Sequence, residues 1–146
     1  MKVIGITGSI ASGKTTVAHI MAGKKYPLFS ADIIVTNLYK RKNFNKILEK
    51  RFKLTNKKKI KSQIKLILKR SKNNLSKLEK IIHPFVRKEM ISFLKKKNKL
   101  LFLEIPLLIE SKLNTYFDEL IFVGANKNLR LKRYIKKKAT KKRSVY

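Results

Sequence analysis

The chain has 146 residues, 43% of them hydrophobic, and 38 Lys and Arg against 8 Asp and Glu give a formal net charge of +30. That length suits one small domain, and the frequent apolar runs exclude a disordered polyelectrolyte. The absence of cysteine excludes a disulfide framework, a cysteine-bound metal and thiol catalysis.

Lys2 to Thr7 (KVIGIT) reads as a short buried strand, dominated by β-branched residues and followed by a glycine turn. Lys14 to Ala22 reads as a helix ended by Gly23. Tyr26 to Phe29 is expected as a second short strand, with Ser30 able to cap a helix over Ala31 to Tyr39. Phe44 to Phe52 has helical spacing, with Phe44, Ile47, Leu48 and Phe52 on one face. Asn56 to Arg70 repeats that spacing through Ile60, Ile64, Ile67 and Leu68, its other faces filled with lysine.

Leu75 to Ile82 is apolar-periodic again, and His83-Pro84 is expected to break it. Proline suits a first helical turn, so a new helix is predicted from there to about Lys96, with Phe85, Val86, Met90, Phe93 and Leu94 facing its core. Leu100 to Ile105 is a strand ended by Pro106, Leu107 to Glu110 begins a helix or loop, Glu119 to Gly124 is a further strand, and Asn128 to Lys138 is a basic helix. Strands separated by helices argue for a parallel sheet. The fold class expected is therefore α/β, a P-loop NTPase-like parallel sheet flanked by helices. Residues 1–146 form one domain in this reading, with an inserted helical region at about 43–97.

Gly8 to Thr15 matches G-x-x-x-x-G-K-[ST], between an apolar strand and a helix. The glycines let the backbone curl until successive N–H groups face a phosphate, and the helix adds its positive end. The cradle for ATP is expected along Ala11, Ser12, Gly13, Lys14, Thr15 and Thr16. Lys14 would reach the β- and γ-phosphates, and Thr15 would hold Mg²⁺. Leu100 to Glu104 is four apolar residues and an acid. Glu104 either holds a water on Mg²⁺ or simply ends a buried strand. Asp32, just beyond the second strand, either orients an attacking hydroxyl at the carboxyl edge of the sheet or complements a helix dipole.

Several blocks together resemble the dephospho-coenzyme A kinase family. Ile4 to Val17 (IGITGSIASGKTTV) is similar to I-G-L-T-G-G-I-x-S-G-K-S-T-V, and Ser30 to Ile34 (SADII) to D-A-D-x-I. Leu78 to Arg87 (LEKIIHPFVR) resembles L-E-x-I-x-H-P-x-V-R, and Pro106 to Glu110 (PLLIE) resembles P-L-L-F-E. Arg130 to Arg133 lies where the family has Q-x-x-R, with Lys137 at the next basic position of that helix.

The resemblance implies ATP-dependent phosphorylation of the ribose 3′-hydroxyl of dephospho-coenzyme A. It implies that Asp32 orients or deprotonates that hydroxyl, that His83 and Arg87 meet the acceptor, and that Arg133 and Lys137 line a lid, over about 128–146, that neutralises the transferred phosphoryl group. The 43–97 region becomes the acceptor-binding region. The sequence departs from the pattern at Ser30, at Arg130 and at its end. Family chains run on for several tens of residues, so a C-terminally shortened member with impaired turnover is expected.

Two further classes stay open, the second of them on the charge. One is another small-molecule P-loop kinase, against which the H-P-x-V-R block argues. The other is a basic nucleic-acid-binding protein with a vestigial nucleotide fold, for which no readout motif is present; the basic charge nonetheless permits nonspecific nucleic-acid contact. The lysine excess equally fits an AT-rich coding bias. The N-terminus does not read as a signal peptide, and no apolar run approaches the roughly 20 residues of a membrane span. A soluble, cytoplasmic protein without a membrane partner is expected.

Overall fold

Alternation of buried β-branched strands with amphipathic helices gives a chain of ten main elements in a computed structural model that describes residues 1–55, 59–106 and 113–143. They are β1 (Lys2–Gly8), α1 (Lys14–Ala22), β2 (Leu28–Ser30), α2 (Ala31–Leu38), α3 (Lys42–Phe52), α4 (Ile60–Arg70), α5 (Lys72–Leu94), β3 (Leu100–Glu104), β4 (Glu119–Val123) and α6 (Lys127–Arg143). The expected Leu107 to Glu110 segment, the PLLIE block after its proline, the residues 56–58 and the last three residues lie outside the described residues. The chain divides into two compact units, Met1–Ser30 with Lys96–Tyr146, and Ala31–Lys95.

The first unit is a four-stranded sheet in the order β2-β3-β1-β4, and every pairing is parallel. Parallel strands must all end at one edge, so the registers fix what meets there. Ile6 and Ser30 both pair with Glu104, and Gly8 pairs with Val123. β1 is central and buried at every position after Lys2, as expected of a strand covered on both faces. Its Ile4 and Ile6 pack with Ala18 and Ala22 of α1 and with Phe102 of β3, ringed by Tyr26, Leu28, Ile121 and Val123. Asp118 anchors the start of β1: its Oδ2 accepts from the Val3 amide at 2.7 Å, and its own amide donates to the Val3 carbonyl at 2.9 Å. Beside it, exposed Lys2 donates to Glu119 at 2.6 Å, and that partner raises the ammonium's pKa above its ordinary value.

The second unit is all helical. Leu38, Phe44, Leu48, Ile64 and Leu78 form its core, flanked by Ile81, Ile82 and Phe85. Phe44 stacks edge-on against both Tyr39 and Phe85, each at 5.4 Å between ring centroids, and burial pushes the Tyr39 hydroxyl pKa up. Ile47, expected on the same face as Phe44 and Leu48, is 41% exposed. Position 47 lies about 60° beyond 44 and a full 100° from 48 around a helix, at the edge of the apolar stripe.

Two expectations need correction. The second strand begins at Leu28 rather than Tyr26, because the Tyr26 amide is still tied back to the Ala22 carbonyl at 3.1 Å. His83-Pro84 does not break a helix: α5 runs unbroken for 23 residues, with Pro84 inside it. Proline removes one hydrogen bond and crowds the carbonyl four residues back, a cost of about 3 kcal/mol. Leu78, Val86 and Met90 bury one stripe along α5 on both sides of Pro84. Burying each such side chain contributes roughly 1.5–3 kcal/mol, which outweighs the local cost. The helix is capped at its start by Ser71, whose Oγ accepts from the Asn73 amide at 3.2 Å.

Candidate active site

The loop between β1 and α1 is shaped by three positive φ angles, at Gly8 (151°), Ala11 (59°) and Gly13 (103°). A turn closed by the Ser12 amide on the Ser9 carbonyl, 3.2 Å, lies between them. Alternation of backbone hand is what turns successive N–H groups towards one concavity. Gly8 has a second reason to be glycine: a Cβ there would lie 2.3 Å from the Val123 carbonyl oxygen. Gly13 caps α1 without any side-chain hydrogen bond, and the first turn of α1 holds no acid. Its free N–H groups and positive helix end are therefore open to an anion.

Around that cradle the side chains answer one another. Lys14 folds back so that its Nζ donates to the Ser9 carbonyl at 3.1 Å. Thr15 donates from Oγ1 to Glu104 Oε1 at 2.5 Å, and Ser30 donates from Oγ to Glu104 Oε2 at 3.0 Å. Glu104 is buried, 4% exposed. Both of those partners are neutral hydroxyls, and the hydrogen bonds they donate offset part of the cost of burying a carboxyl group. Arg133 of α6 donates from Nη1 to the Ser12 carbonyl at 3.0 Å. Arg130 donates from Nε to the Ala125 carbonyl at 3.1 Å. Lys137, four residues beyond Arg133, is exposed. Ser12 Oγ is buried without a hydrogen-bond partner, an unsatisfied group beside the cradle.

A hydroxyl and a carboxylate are hard oxygen donors of the kind Mg²⁺ takes, and Mg²⁺ usually completes its shell with water and substrate phosphates. Thr15 and Glu104 thus fit a phosphate-borne Mg²⁺. A dedicated cage is not built: among the described residues no group of three or more His, Asp or Glu could hold a metal.

Asp32, His83 and Arg87 belong to the helical unit. Asp32 is exposed in the first turn of α2, and its backbone carbonyl accepts from Thr36 Oγ1 at 2.9 Å. His83 is half-buried in α5, with exposed Arg87 one turn on. Arg87 borders an open groove with Pro84, Lys88, Ile91, Ser92 and Lys95. Sequence reasoning missed the hydrogen bond of Ser30 to Glu104. The pair is 74 residues apart, and only the parallel register of β2 on β3 brings it together.

A buried parallel strand, a glycine loop with alternating backbone hand, a helix N-terminus and an acid on the adjacent strand define a P-loop phosphate-binding domain of the α/β class. The family model for dephospho-CoA kinase matches residues 2–146, and the chain belongs to that kinase family. It is 38% identical over 131 residues to the dephospho-CoA kinase of Bartonella henselae, covering 86% of this chain and 67% of that protein. It is 33% identical to the enzyme of Fusobacterium nucleatum, covering 92% and 72%. A Thermus thermophilus crystal structure superposes with a TM-score of 0.73 at 30% identity, over 90% of this chain and 70% of that one. A dephospho-CoA kinase from Campylobacter jejuni shares the fold, with a TM-score of 0.58 at 22% identity over 99% of this chain and all of that one. Among the described residues no helix is long and apolar enough to cross a membrane.

Proposed function

We propose that this chain transfers the γ-phosphoryl group of ATP to the ribose 3′-hydroxyl of dephospho-coenzyme A, giving coenzyme A and ADP. The observation that carries the reading is the Thr15 hydroxyl on buried Glu104 at 2.5 Å, at the N-terminus of the helix that follows the phosphate loop. Magnesium bound with the nucleotide supplies charge neutralisation across the β- and γ-phosphates, and Thr15, with Glu104 through water, would hold it.

The chain's own groups then divide the work. Backbone amides from Ala11 to Thr16 cradle the phosphates, and Lys14 exchanges the Ser9 carbonyl for phosphate oxygens. Asp32 lies two residues beyond Ser30 in the chain, and Ser30 is at the Glu104 end of the sheet. In this reading its carboxylate takes the proton of the attacking 3′-hydroxyl. The new O–P bond forms as the bond from the γ-phosphorus to the bridging oxygen breaks, and ADP leaves. His83 and Arg87, at i and i+4 on α5, hold the acceptor's anionic part. Arg133 and Lys137 offset negative charge on the group in transit. Rate enhancement here is positioning and electrostatics. A reaction fed by ATP and releasing coenzyme A belongs in the cytoplasm.

The test is purified chain with Mg-ATP and dephospho-coenzyme A, following ADP release and the mass of the product. Turnover is expected, and Lys14→Ala should abolish it together with nucleotide binding. Turnover only with other acceptors would transfer the assignment to another small-molecule kinase. RNA binding that falls steeply with salt, without ATP turnover, would replace it with nucleic-acid binding.

A further inference from the structure

Glu104 is held from two sides. Thr15 reaches Oε1 from the first turn of α1, and Ser30 reaches Oε2 from β2, where it is the register partner of Glu104. The last torsion of a glutamate is broad and roughly two-fold, so one hydrogen bond would leave the plane of the carboxylate free to turn. The bond from Ser30 closes that freedom, and Ser30 is itself only 9% exposed, which keeps water from taking its place. Each hydroxyl has a single proton and two lone pairs. Because Thr15 gives its proton to Glu104, its lone pairs face away from the carboxylate and are available to a cation.

We propose that Ser30 is a positioning residue: by fixing the Glu104 carboxylate it sets the orientation in which the Thr15 hydroxyl meets nucleotide-bound magnesium. The proposal rests on the kinase reading above. Removing the Ser30 hydroxyl leaves Oε2 buried without its donor. The carboxylate then turns to recover contacts, and the Thr15 proton loses its fixed acceptor. The arrangement meets the phosphate cradle only through the Thr15 side chain and leaves its backbone amides in place, so nucleotide binding without metal should be insensitive to it.

The experiment measures ADP binding by calorimetry, with EDTA and across a magnesium titration, for the wild type, Ser30→Ala and Ser30→Thr. Outer-shell partners of metal ligands typically control affinity by 10–100-fold, so Ser30→Ala should raise the magnesium concentration needed for half the effect about tenfold, while Ser30→Thr stays within about twofold of wild type. Affinity for ADP in EDTA should be unchanged in both variants. An unchanged magnesium requirement in Ser30→Ala would overturn the proposal, as would an equal loss of metal-free affinity, which marks a purely structural role. Wild-type ADP binding indifferent to magnesium would instead remove the kinase reading on which the proposal stands.

Discussion

Arg133 donates to the backbone carbonyl of Ser12 at 3.0 Å, joining α6 to the phosphate loop across 121 residues of sequence. The same guanidinium nitrogen lies 3.5 Å from where a Cβ on Gly13 would stand, so the positive charge sits at the mouth of the cradle. A guanidinium carries five donors in a fixed fork, and one bond to Ser12 leaves others for phosphate oxygens. Arginines that stabilise a phosphoryl group in transfer are worth about 10³-fold or more in kcat. Arg133→Ala should therefore lower kcat by about that factor, with a loss of Mg-ADP affinity below about tenfold. Arg133→Lys should rescue little of the rate, since a single ammonium cannot reproduce the fork. Steady-state kinetics beside ADP calorimetry separates the two effects.

Gly8→Ala tests the loop's backbone. The residue combines a φ of 151° with a Cβ position 2.3 Å from the Val123 carbonyl oxygen. The obstacle is backbone in a paired strand, so no side chain can swing aside. The expected outcome is destabilisation of about 3 kcal/mol, seen as a Tm several degrees lower, together with loss of ADP binding. A variant that melts with the wild type would show that the β1–β4 pairing yields easily.

The opening of the chain was legible because its signals are local. Period, glycines and a helix stop place β1, the loop and α1 within one residue of the observed bounds, Lys2–Gly8 and Lys14–Ala22. The parallel sheet followed from strands alternating with helices. What could not be read was long-range: Ser30 lies 74 residues from Glu104, and no spacing rule in a single sequence connects them. Pro84 misled for another reason. The local penalty of proline is visible in the sequence, whereas the burial of Leu78, Val86 and Met90 along the same helix comes from packing.

That balance makes Pro84→Ala a stabilising substitution. Pro84 is exposed within α5, so replacing it opens no cavity. Alanine restores the amide donor and removes the clash, worth up to about 3 kcal/mol in a helix interior. The greater freedom of the unfolded chain takes back roughly 0.4–1 kcal/mol. The net gain expected is about 1–2 kcal/mol, measurable by urea denaturation as a higher midpoint with an unchanged slope. A lower midpoint would mean that the proline geometry itself is needed for packing in the helical unit.

Asp32 and Glu104 are two acids in unlike surroundings, and the proposed roles follow that difference. Glu104 is buried, with both oxygens occupied by hydroxyls. Asp32 is exposed at the start of a helix, where a carboxylate can accept a proton from an incoming hydroxyl. Asn at position 32 keeps the shape and a hydrogen-bonding oxygen but cannot act as a base. Its effect on the helix terminus should be only about 0.3–1 kcal/mol, so Tm should fall by no more than about 4 °C. General-base loss typically costs about 10²–10⁴-fold, and Asp32→Asn should lower kcat with dephospho-coenzyme A by that order while leaving Mg-ADP affinity intact. Turnover within about tenfold of wild type would sit below that range and would reduce Asp32 to an acid that merely complements the dipole of α2.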